Sequence, residues 1–318
     1  MGLAGFRRFV ARFTLFLLPA AGAELALEAK LASVENSYSL KRRSLEEDAP
    51  SLEVLILGPS HAYYGIDPDH LSRPSLNLAN VSQSLQIDAQ LASMVLARAP
   101  RLRLVLLSFG YFSLGYSTET GGEPWRNGFT HFFYGIQGDQ EPWMLLHPRN
   151  YSLLALYGPE QTRGMALRGF TSTLADNVSP RGFYAAEPRP ASLILDEKDG
   201  EKRVRTHESL QSEEARGANT AALGAMVAAL GARSVKVAFV TLPVHATYAR
   251  FMDREVWKRS QAVIRGLVRE GAVSYHDYLE DGRFGVEDFR DHDHLCAAGA
   301  AKMTRILEEE VVKAALSP

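Results

Sequence analysis

The stretch VLILGPSH, residues 54–61, decides the fold of this chain. Its first four residues are all large and apolar, which is typical of a central strand in a parallel sheet that is covered on both faces. Gly58 ends the strand, and Ser60 follows at its carboxyl end, where open α/β sheets place their ligands. We therefore expect Ser60 to lie at the functional edge of a parallel sheet.

A second segment with chemical meaning is DHDHL, residues 291–295, far downstream of the first. A serine hydroxyl becomes a good nucleophile only when a base removes its proton and a third group orients that base. Ser60, His294 and Asp291 supply these three residue types, so the sequence predicts a Ser/His/Asp catalytic site. Because Ala62 replaces the second glycine of a Gly-x-Ser-x-Gly elbow, the α/β-hydrolase fold is not indicated.

The remaining chain alternates strand and helix patterns, which predicts a three-layer, doubly wound parallel sheet with right-handed crossovers. The predicted strands are 52–57, 75–78, 102–108, 235–242 and 272–275, and the predicted helices are 84–97, 218–230, 254–270 and 297–315.

The alternation stops between about residues 111 and 216, a stretch dense in glycine, proline and aromatic residues. An insertion after the third strand emerges at the functional edge of the sheet, so we expect it to form a cap there. Its aromatic side chains could stack on sugar rings or form a small core of the insertion's own. The domain plan is thus an α/β domain over 51–318 that includes this cap.

The amino-terminal residues 1–30 differ in kind from the rest. Three arginines among residues 7–12 precede an apolar run over 13–23, which is the pattern of a secretory signal. Extended to residues 9–27, the run reaches the roughly 20 residues of a membrane span. A cleaved signal peptide and an uncleaved signal-anchor therefore both remain open, and either exports the domain. Residues 31–50 are polar and predict a tether or a helical stalk.

Composition excludes several function classes. The chain has 318 residues and a net charge of −2, which gives no electrostatic footprint for nucleic acid. Its single cysteine, Cys296, excludes an intrachain disulfide and a cysteine zinc site. The Asp-His-Asp-His run at 291–294 could form a metal cluster, but adjacent loop residues rarely converge on one ion. We expect no metal and no other cofactor.

With Ser60 and the 291–294 run identified, the chain resembles the SGNH, or GDSL-type, hydrolase superfamily. In that family the nucleophile follows the first strand in a short glycine turn, as in GPS at 58–60, and an Asp-x-x-His pair lies near the carboxyl terminus. The match covers roughly residues 52–112 and 234–312. It looks most like the membrane-anchored bacterial branch that modifies cell-surface polymers, which implies a flavodoxin-like sheet and a location in the periplasm or at the cell surface, anchored to the cytoplasmic membrane.

The resemblance also implies an oxyanion hole built from backbone N–H groups of Ser60 and Ser82, with Ser82 in the place of the family's glycine. The family's third motif would add an asparagine side chain, but this chain has Phe112 there, which cannot donate a hydrogen bond. Losing one oxyanion donor typically costs about 100- to 1000-fold in turnover.

Tyr111, Ser113 or Asn80 could replace the missing donor. His61, next to the nucleophile, and His245, after the fourth strand, are expected to line the substrate site.

The function expected from these features is an extracytoplasmic serine esterase or O-acyltransferase acting on carbohydrate or cell-envelope polymer esters. Whether water or a sugar hydroxyl accepts the acyl group is not decided by the sequence. The alternative is an SGNH-like module with weakened catalysis that binds a surface glycan or a membrane acyltransferase partner, and Phe112 is its main support.

Overall fold

The computed structural model of the protein describes residues 3–171 and 177–317. A five-stranded sheet is formed by β1 (Val54–Leu57), β2 (Ser75–Asn77), β3 (Leu104–Ser108), β4 (Lys236–Thr241) and β5 (Val273–Asp277). All neighbours pair in parallel, in the order β2-β1-β3-β4-β5. This is the flavodoxin-like order, so the predicted doubly wound α/β fold is confirmed.

The helices connect and cover the strands. They are α1 (Leu3–Ala32), α2 (Ser37–Asp48), α3 (Ser60–Gly65), α4 (Leu85–Leu96), α5 (Trp125–Tyr134), α6 (Leu153–Leu167), α7 (Ala191–Ile194), α8 (Glu197–Ser209), α9 (Glu213–Gly231), α10 (Ala246–Ala249), α11 (Arg254–Leu267), α12 (Ala297–Leu307) and α13 (Lys313–Leu316).

Strand β1 is fully buried because its alternate side chains enter two different cores. Leu55 and Leu57 belong to the core beneath α4, α9 and α11, whereas Val54 and Ile56 belong to the core beneath α3 and α12. The apolar run is therefore a strand covered by helices on both faces, as the sequence predicts. The result is the three-layer arrangement.

Element boundaries differ from the prediction mainly at helix ends. Helix α9 begins at Glu213 rather than at 218, because Ser212 caps it by accepting the Ala215 N–H. The predicted helix 297–315 is interrupted by a π-helical turn, Glu308–Val312. The predicted helix 254–270 ends at Leu267, since Arg269 turns back to pair with Val273.

The segment expected to be a tether or a helical stalk is largely packed against the domain. Helix α2 buries Tyr38 and Leu45, and its Lys41 is fully buried, with Nζ donating to the Ala79 carbonyl and lying 4.2 Å from the Tyr63 ring centre. The charged sequence of α2 does not reveal this packing. Its other charged side chains lie on the outer face of the helix, whereas Lys41 is buried on the inner face. Residues 37–48 therefore form a helix that packs on the α/β domain.

Helix α1 is long and apolar enough over Gly5–Ala32 to cross a membrane, with a mean hydropathy of 1.5. Its side chains are exposed from Phe6 to Ala26, whereas Glu28 and Leu31 contact the domain. The Glu28 carboxylate accepts hydrogen bonds from the Leu153 and Leu154 N–H groups at 3.0 Å each and from the Ser152 hydroxyl. The helix is thus joined to the first turn of α6.

The insertion leaves the sheet after β3 and returns through α9. It carries α5 to α8, and residues 172–176 within it lie outside the described residues. Helix α8 packs against α10, which follows β4 and the loop at its carboxyl end. This packing brings one face of α8 to the edge of the sheet where Ser60 lies.

Candidate active site

The turn from β1 into α3 places Ser60 at the first residue of that helix. Gly58 makes the turn possible, because its φ of 132° and its close approach to β3 exclude a side chain: a Cβ would lie 2.8 Å from Ser108 Cβ. Asp88, buried beneath the turn, accepts the Gly58 N–H at 2.9 Å. The position of Ser60 is therefore fixed by the sheet and by the hydrogen bond that Gly58 donates to Asp88 of α4.

Ser60 and His294 are in hydrogen-bond contact although 234 residues separate them. His294 Nε2 lies 2.7 Å from Ser60 Oγ, and His294 Nδ1 lies 2.9 Å from Asp291 Oδ1. The Asp291 carboxylate also accepts the backbone N–H groups of Asp293 and His294 at 3.2 and 2.9 Å. The structure thus brings the three sequence-predicted residues together in the geometry of a base between a nucleophile and an orienting acid.

Electrostatics favour an ionised Asp291. Burial raises the pKa of this carboxyl, but the charge of His294 and the hydrogen bonds from His294 and the Asp293 backbone outweigh burial, so the pKa lies below its ordinary value. An ionised Asp291 accepts from His294 Nδ1–H, which leaves Nε2 free to take a proton from Ser60.

A second carboxylate, that of Asp293, lies beneath the base, fully buried. Arg203 of α8 donates to it through two nitrogens at 2.9 and 3.1 Å. Its Oδ2 is also 3.6 Å from His294 Nε2, 3.6 Å from His61 Nε2 and 3.8 Å from His207 Nε2. Burial raises the pKa of Asp293, but Arg203 and the imidazoles outweigh burial and hold it well below its ordinary value.

Sequence reasoning missed Arg203 and His207, which α8 contributes from the insertion. They stand four residues apart, so they lie on one face of the helix. That spacing was the only signal, and it does not reveal what the face contacts. The insertion therefore supplies charged and polar groups to the site.

His61 and Phe112 form the wall beside the base. The His61 ring centre is 5.0 Å from that of His294 and 5.7 Å from that of Phe112, which packs at 4.4 Å on His207. Burial, with a smaller contribution from His294, lowers the pKa of His61 to about 4. Its Nδ1 has no hydrogen-bond partner among the described residues. His61 is therefore a neutral polar group in the site rather than a second base.

The candidate replacements for the missing asparagine have different surroundings. The Tyr111 hydroxyl donates to Glu208 at 2.8 Å and accepts the Asp253 N–H at 3.0 Å, so it is engaged away from Ser60. Ser113 Oγ accepts the Gly110 N–H at 2.9 Å within its own turn. The contacts of Tyr111 and Ser113 therefore do not support either residue as an oxyanion donor.

Asn80 and Ser82 lie on the loop after β2. Asn80 donates its backbone N–H to Gly58 at 3.3 Å, and its buried side-chain nitrogen has no partner in the described part of the chain. Ser82 has φ 55°, the left-handed conformation that favours glycine. The backbone here thus has the shape expected of a glycine position, and Asn80 offers a spare buried donor beside the turn that carries Ser60.

His245 and His292 belong to one hydrogen-bond network through Thr247, and neither contacts Ser60 among the hydrogen bonds of the described residues. Thr247 Oγ1 is 2.8 Å from His245 Nδ1 and 2.9 Å from His292 Nδ1, and the His245 N–H donates to the His292 carbonyl. These contacts fix the loop before Asp293 and His294. The expectation that His245 lines the substrate site is not supported by its contacts, because its ring packs on Phe289.

One group of side chains has the arrangement of metal ligands. Ligand atoms of His61, Asp293 and His294 lie within 4.8 Å of one another. This group differs from the 291–294 run considered from the sequence, since His292 points to Thr247. The bidentate Arg203 beside Asp293 already neutralises the carboxylate and repels a cation, so the residues fit a metal ion poorly.

A cleft of about 380 Å³ lies beside the base, between α2, α3 and the insertion. Tyr64 lies between the cleft and the base. Its ring packs edge-on against His294, with 5.1 Å between ring centres, and also lines the cleft. The polar groups of the cleft include Asn80, Arg126 and Arg168. Its aromatic lining includes Tyr38, Tyr63, Tyr64, Trp125, Phe129 and Tyr184.

Comparison with known proteins identifies no family. No protein-family model and no curated protein sequence matches the chain. The chain is similar to a solved structure described as a candidate platelet activating factor from Streptococcus pneumonia, with 10% sequence identity and a TM-score of 0.40 over 93% of this chain and 98% of that one. Likeness at that level supports no inference about chemistry, so the site is interpreted from its own geometry.

Proposed function

We propose that this protein is a serine esterase or O-acyltransferase of the SGNH type, held at a membrane by α1 and acting outside the cytoplasm on esters of carbohydrates or cell-envelope polymers. The observation that carries the proposal is the chain of contacts from Ser60 Oγ through the His294 ring to Asp291, at 2.7 and 2.9 Å. The Asp-x-x-His spacing and the glycine turn before Ser60 add the family resemblance.

In the proposed reaction, His294 Nε2 takes the Ser60 proton as Oγ attacks the ester carbonyl carbon. The carbonyl π electrons move to oxygen, and backbone N–H groups of Ser60 and Ser82 stabilise that oxyanion, with Asn80 as a side-chain donor. Collapse of the intermediate breaks the ester C–O bond, and His294 returns the proton to the leaving alcohol. An acyl group then remains on Ser60.

In the second half, His294 takes a proton from water or from a sugar hydroxyl, and the resulting oxygen attacks the acyl-enzyme. Water yields a free acid, whereas a sugar hydroxyl yields a new ester, and Ser60 regains its proton in both cases. The aromatic cleft beside Tyr64 supports a carbohydrate as one reactant, because ring faces with a few polar groups suit a sugar. Arg126, stacked 4.4 Å from the Trp125 ring centre, stiffens that wall.

The test is covalent labelling of the full chain by a fluorophosphonate serine probe. We expect the wild type to be labelled and Ser60→Ala to lose labelling while keeping its circular dichroism and unfolding temperature. Ser108→Ala is the matched control, since Ser108 is a buried serine at the end of the neighbouring strand and contacts Gly58. Equal labelling of Ser60→Ala would show that another residue is the nucleophile, whereas an unlabelled wild type would favour the non-catalytic binding module.

A further inference from the structure

A small group of exposed apolar side chains lies in the insertion just before α6. Trp143, Leu146 and Tyr151 are 69%, 84% and 62% exposed. We call these three residues the interface patch. Soluble surfaces carry scattered apolar residues without consequence, but a tryptophan, a leucine and a tyrosine exposed within nine residues mark a candidate contact surface.

Local hydrogen bonds fix the backbone of the interface patch. Its residues stand on and just after two consecutive 3₁₀ turns, Pro142–Leu146 and Pro148–Asn150. The Asn150 side chain ties the turns together by donating to the Met144 and Leu145 carbonyls at 2.9 and 3.3 Å. The Tyr151 ring rests edge-on against His131 at 5.3 Å. The backbone that presents these side chains is thereby fixed, so little backbone entropy is lost when they bind a surface.

The position of the patch along α1 indicates what covers it. Tyr151 directly precedes Ser152, and the Ser152 hydroxyl and the next two N–H groups bind Glu28 near the end of α1. Residues 9–27 of that helix span roughly 28 Å at about 1.5 Å per residue, close to the ~30 Å hydrocarbon thickness of a bilayer. When α1 crosses a membrane, Glu28 and Tyr151 therefore lie near the boundary between lipid tails and water, and the 3₁₀ turns that carry Trp143 and Leu146 directly precede Tyr151.

We propose that the interface patch inserts into the headgroup region of the bilayer that α1 crosses, giving the catalytic domain a second membrane contact and one fixed orientation. Tryptophan and tyrosine are the residues enriched at this depth, because each joins an apolar ring to a polar tip. The proposal rests on the membrane-anchoring part of the proposed function and not on the chemistry of Ser60.

The consequence concerns access to the site. The cleft is lined by Val34 and Asn36, just after α1, and by Tyr157, one turn beyond the Glu28 contact. Seating the patch therefore fixes the cleft beside the membrane surface, where an ester carried on a membrane-linked polymer or lipid would reach it.

The test uses full-length protein in single-copy phosphatidylcholine nanodiscs. Cys296→Ala removes the one native thiol, and either Leu146→Cys or Leu193→Cys then carries an environment-sensitive dye. Leu193 is the matched control, a 50% exposed leucine on α7, which packs on α8. We expect a blue-shifted emission at position 146, quenched about twofold or more by lipids with a doxyl group near the headgroup end of the chain. The dye at position 193 should have the emission wavelength of the dye in water and should not be quenched by these lipids.

If the protein stays in the nanodisc and the dye at 146 behaves like the dye at 193, the proposal is overturned while the membrane anchor stands. That same result would follow if the patch were covered by a second copy of the chain, because a single-copy disc offers none. If the full-length protein is not retained by the disc, both the anchor and the patch fail. Labelling of Ser60 by the fluorophosphonate probe is independent of all three results.

Discussion

Asp293 Oδ2 lies 3.6 Å from His294 Nε2, the same nitrogen that contacts Ser60 Oγ. The base is thus placed between two carboxylates, with Asp291 on its other nitrogen. An unpaired Asp293 would stabilise the charged imidazolium and repel the oxyanion that forms nearby. Arg203, bound through two nitrogens, neutralises it. The insertion therefore supplies the counter-charge of a buried carboxylate that lies beside the base.

Removing Arg203 should weaken both catalysis and stability. Arg203→Met leaves the buried Asp293 carboxylate unpaired beside Ser60 and His294, where its charge would oppose a developing oxyanion, so turnover of an aryl ester should fall. Losing the partner of this buried carboxylate should also cost on the order of 1–3 kcal/mol of unfolding free energy, because Arg203 itself is partly exposed. The double variant Arg203→Met/Asp293→Asn removes the unpaired charge and should recover part of both losses. Unchanged turnover and stability in the single variant would show that the ion pair does not influence the site.

His294 and His292 should differ sharply in importance. His294→Ala removes the base next to Ser60 and should lower ester turnover by roughly 1000-fold or more. His292→Ala removes only the contact with Thr247 and should retain most activity. Steady-state kinetics on a chromogenic ester compares them. Loss of wild-type activity on chelation would instead support a metal bound by His61, Asp293 and His294.

Phe112 should behave as a packed wall. Its ring is buried between His61, His207 and Tyr116, so Phe112→Asn should lower the free energy of unfolding by about 2–4 kcal/mol. Phe112→Leu, which keeps an apolar side chain, should cost less. Chemical denaturation measures both. A folded Phe112→Asn variant that turns over faster than wild type would contradict this and show that the ring occupies the place of an oxyanion donor.

Asp88 should make stability pH-dependent. Burial raises the pKa of Asp88 to about 7, against an ordinary value of 3.8. Between these values the folded protein holds a proton that the unfolded chain has released, so the unfolding free energy falls as pH rises, by about 1.4 kcal/mol per pH unit. Asp88→Asn keeps an acceptor for the Gly58 N–H and should remove this slope, becoming the more stable protein at pH 8. The unfolding free energies of the two proteins are measured in urea from pH 4 to 8. The same pH dependence in both would refute the assignment.

The anchor helix should be separable from the domain at residue 26. Deleting residues 1–26 should release the protein from membranes while leaving Glu28 on the first turn of α6 and Leu31 in the core. Deleting residues 1–30 should release it equally but lower the unfolding free energy by about 1 kcal/mol more, because the α6 N–H groups lose their acceptor. Membrane flotation and thermal unfolding compare the two. Equal stability would show that the Glu28 contact contributes nothing.

The sequence by itself determined the parallel sheet and indicated the three residues that meet at its edge. Strand β1 can be predicted from the sequence because both of its faces are apolar. The Asp291–His294 contact can be predicted because it is local, with hydrogen bonds between residues three positions apart. The carboxyl ends of parallel strands lie at one edge, which makes the meeting of Ser60 with His294 a consequence of topology rather than of any detailed packing.

Only the tertiary structure decided what surrounds these residues. Arg203 and Asp293 are 90 positions apart, and their contact depends on how α8 packs across the sheet edge, which helical periodicity does not encode. The same reason hides the burial of Lys41, the engagement of Tyr111 with Glu208 and the placement of Phe112 between two imidazoles. A residue type states what chemistry a side chain can perform, whereas the direction and the partners of that side chain are set by packing between elements distant in the chain.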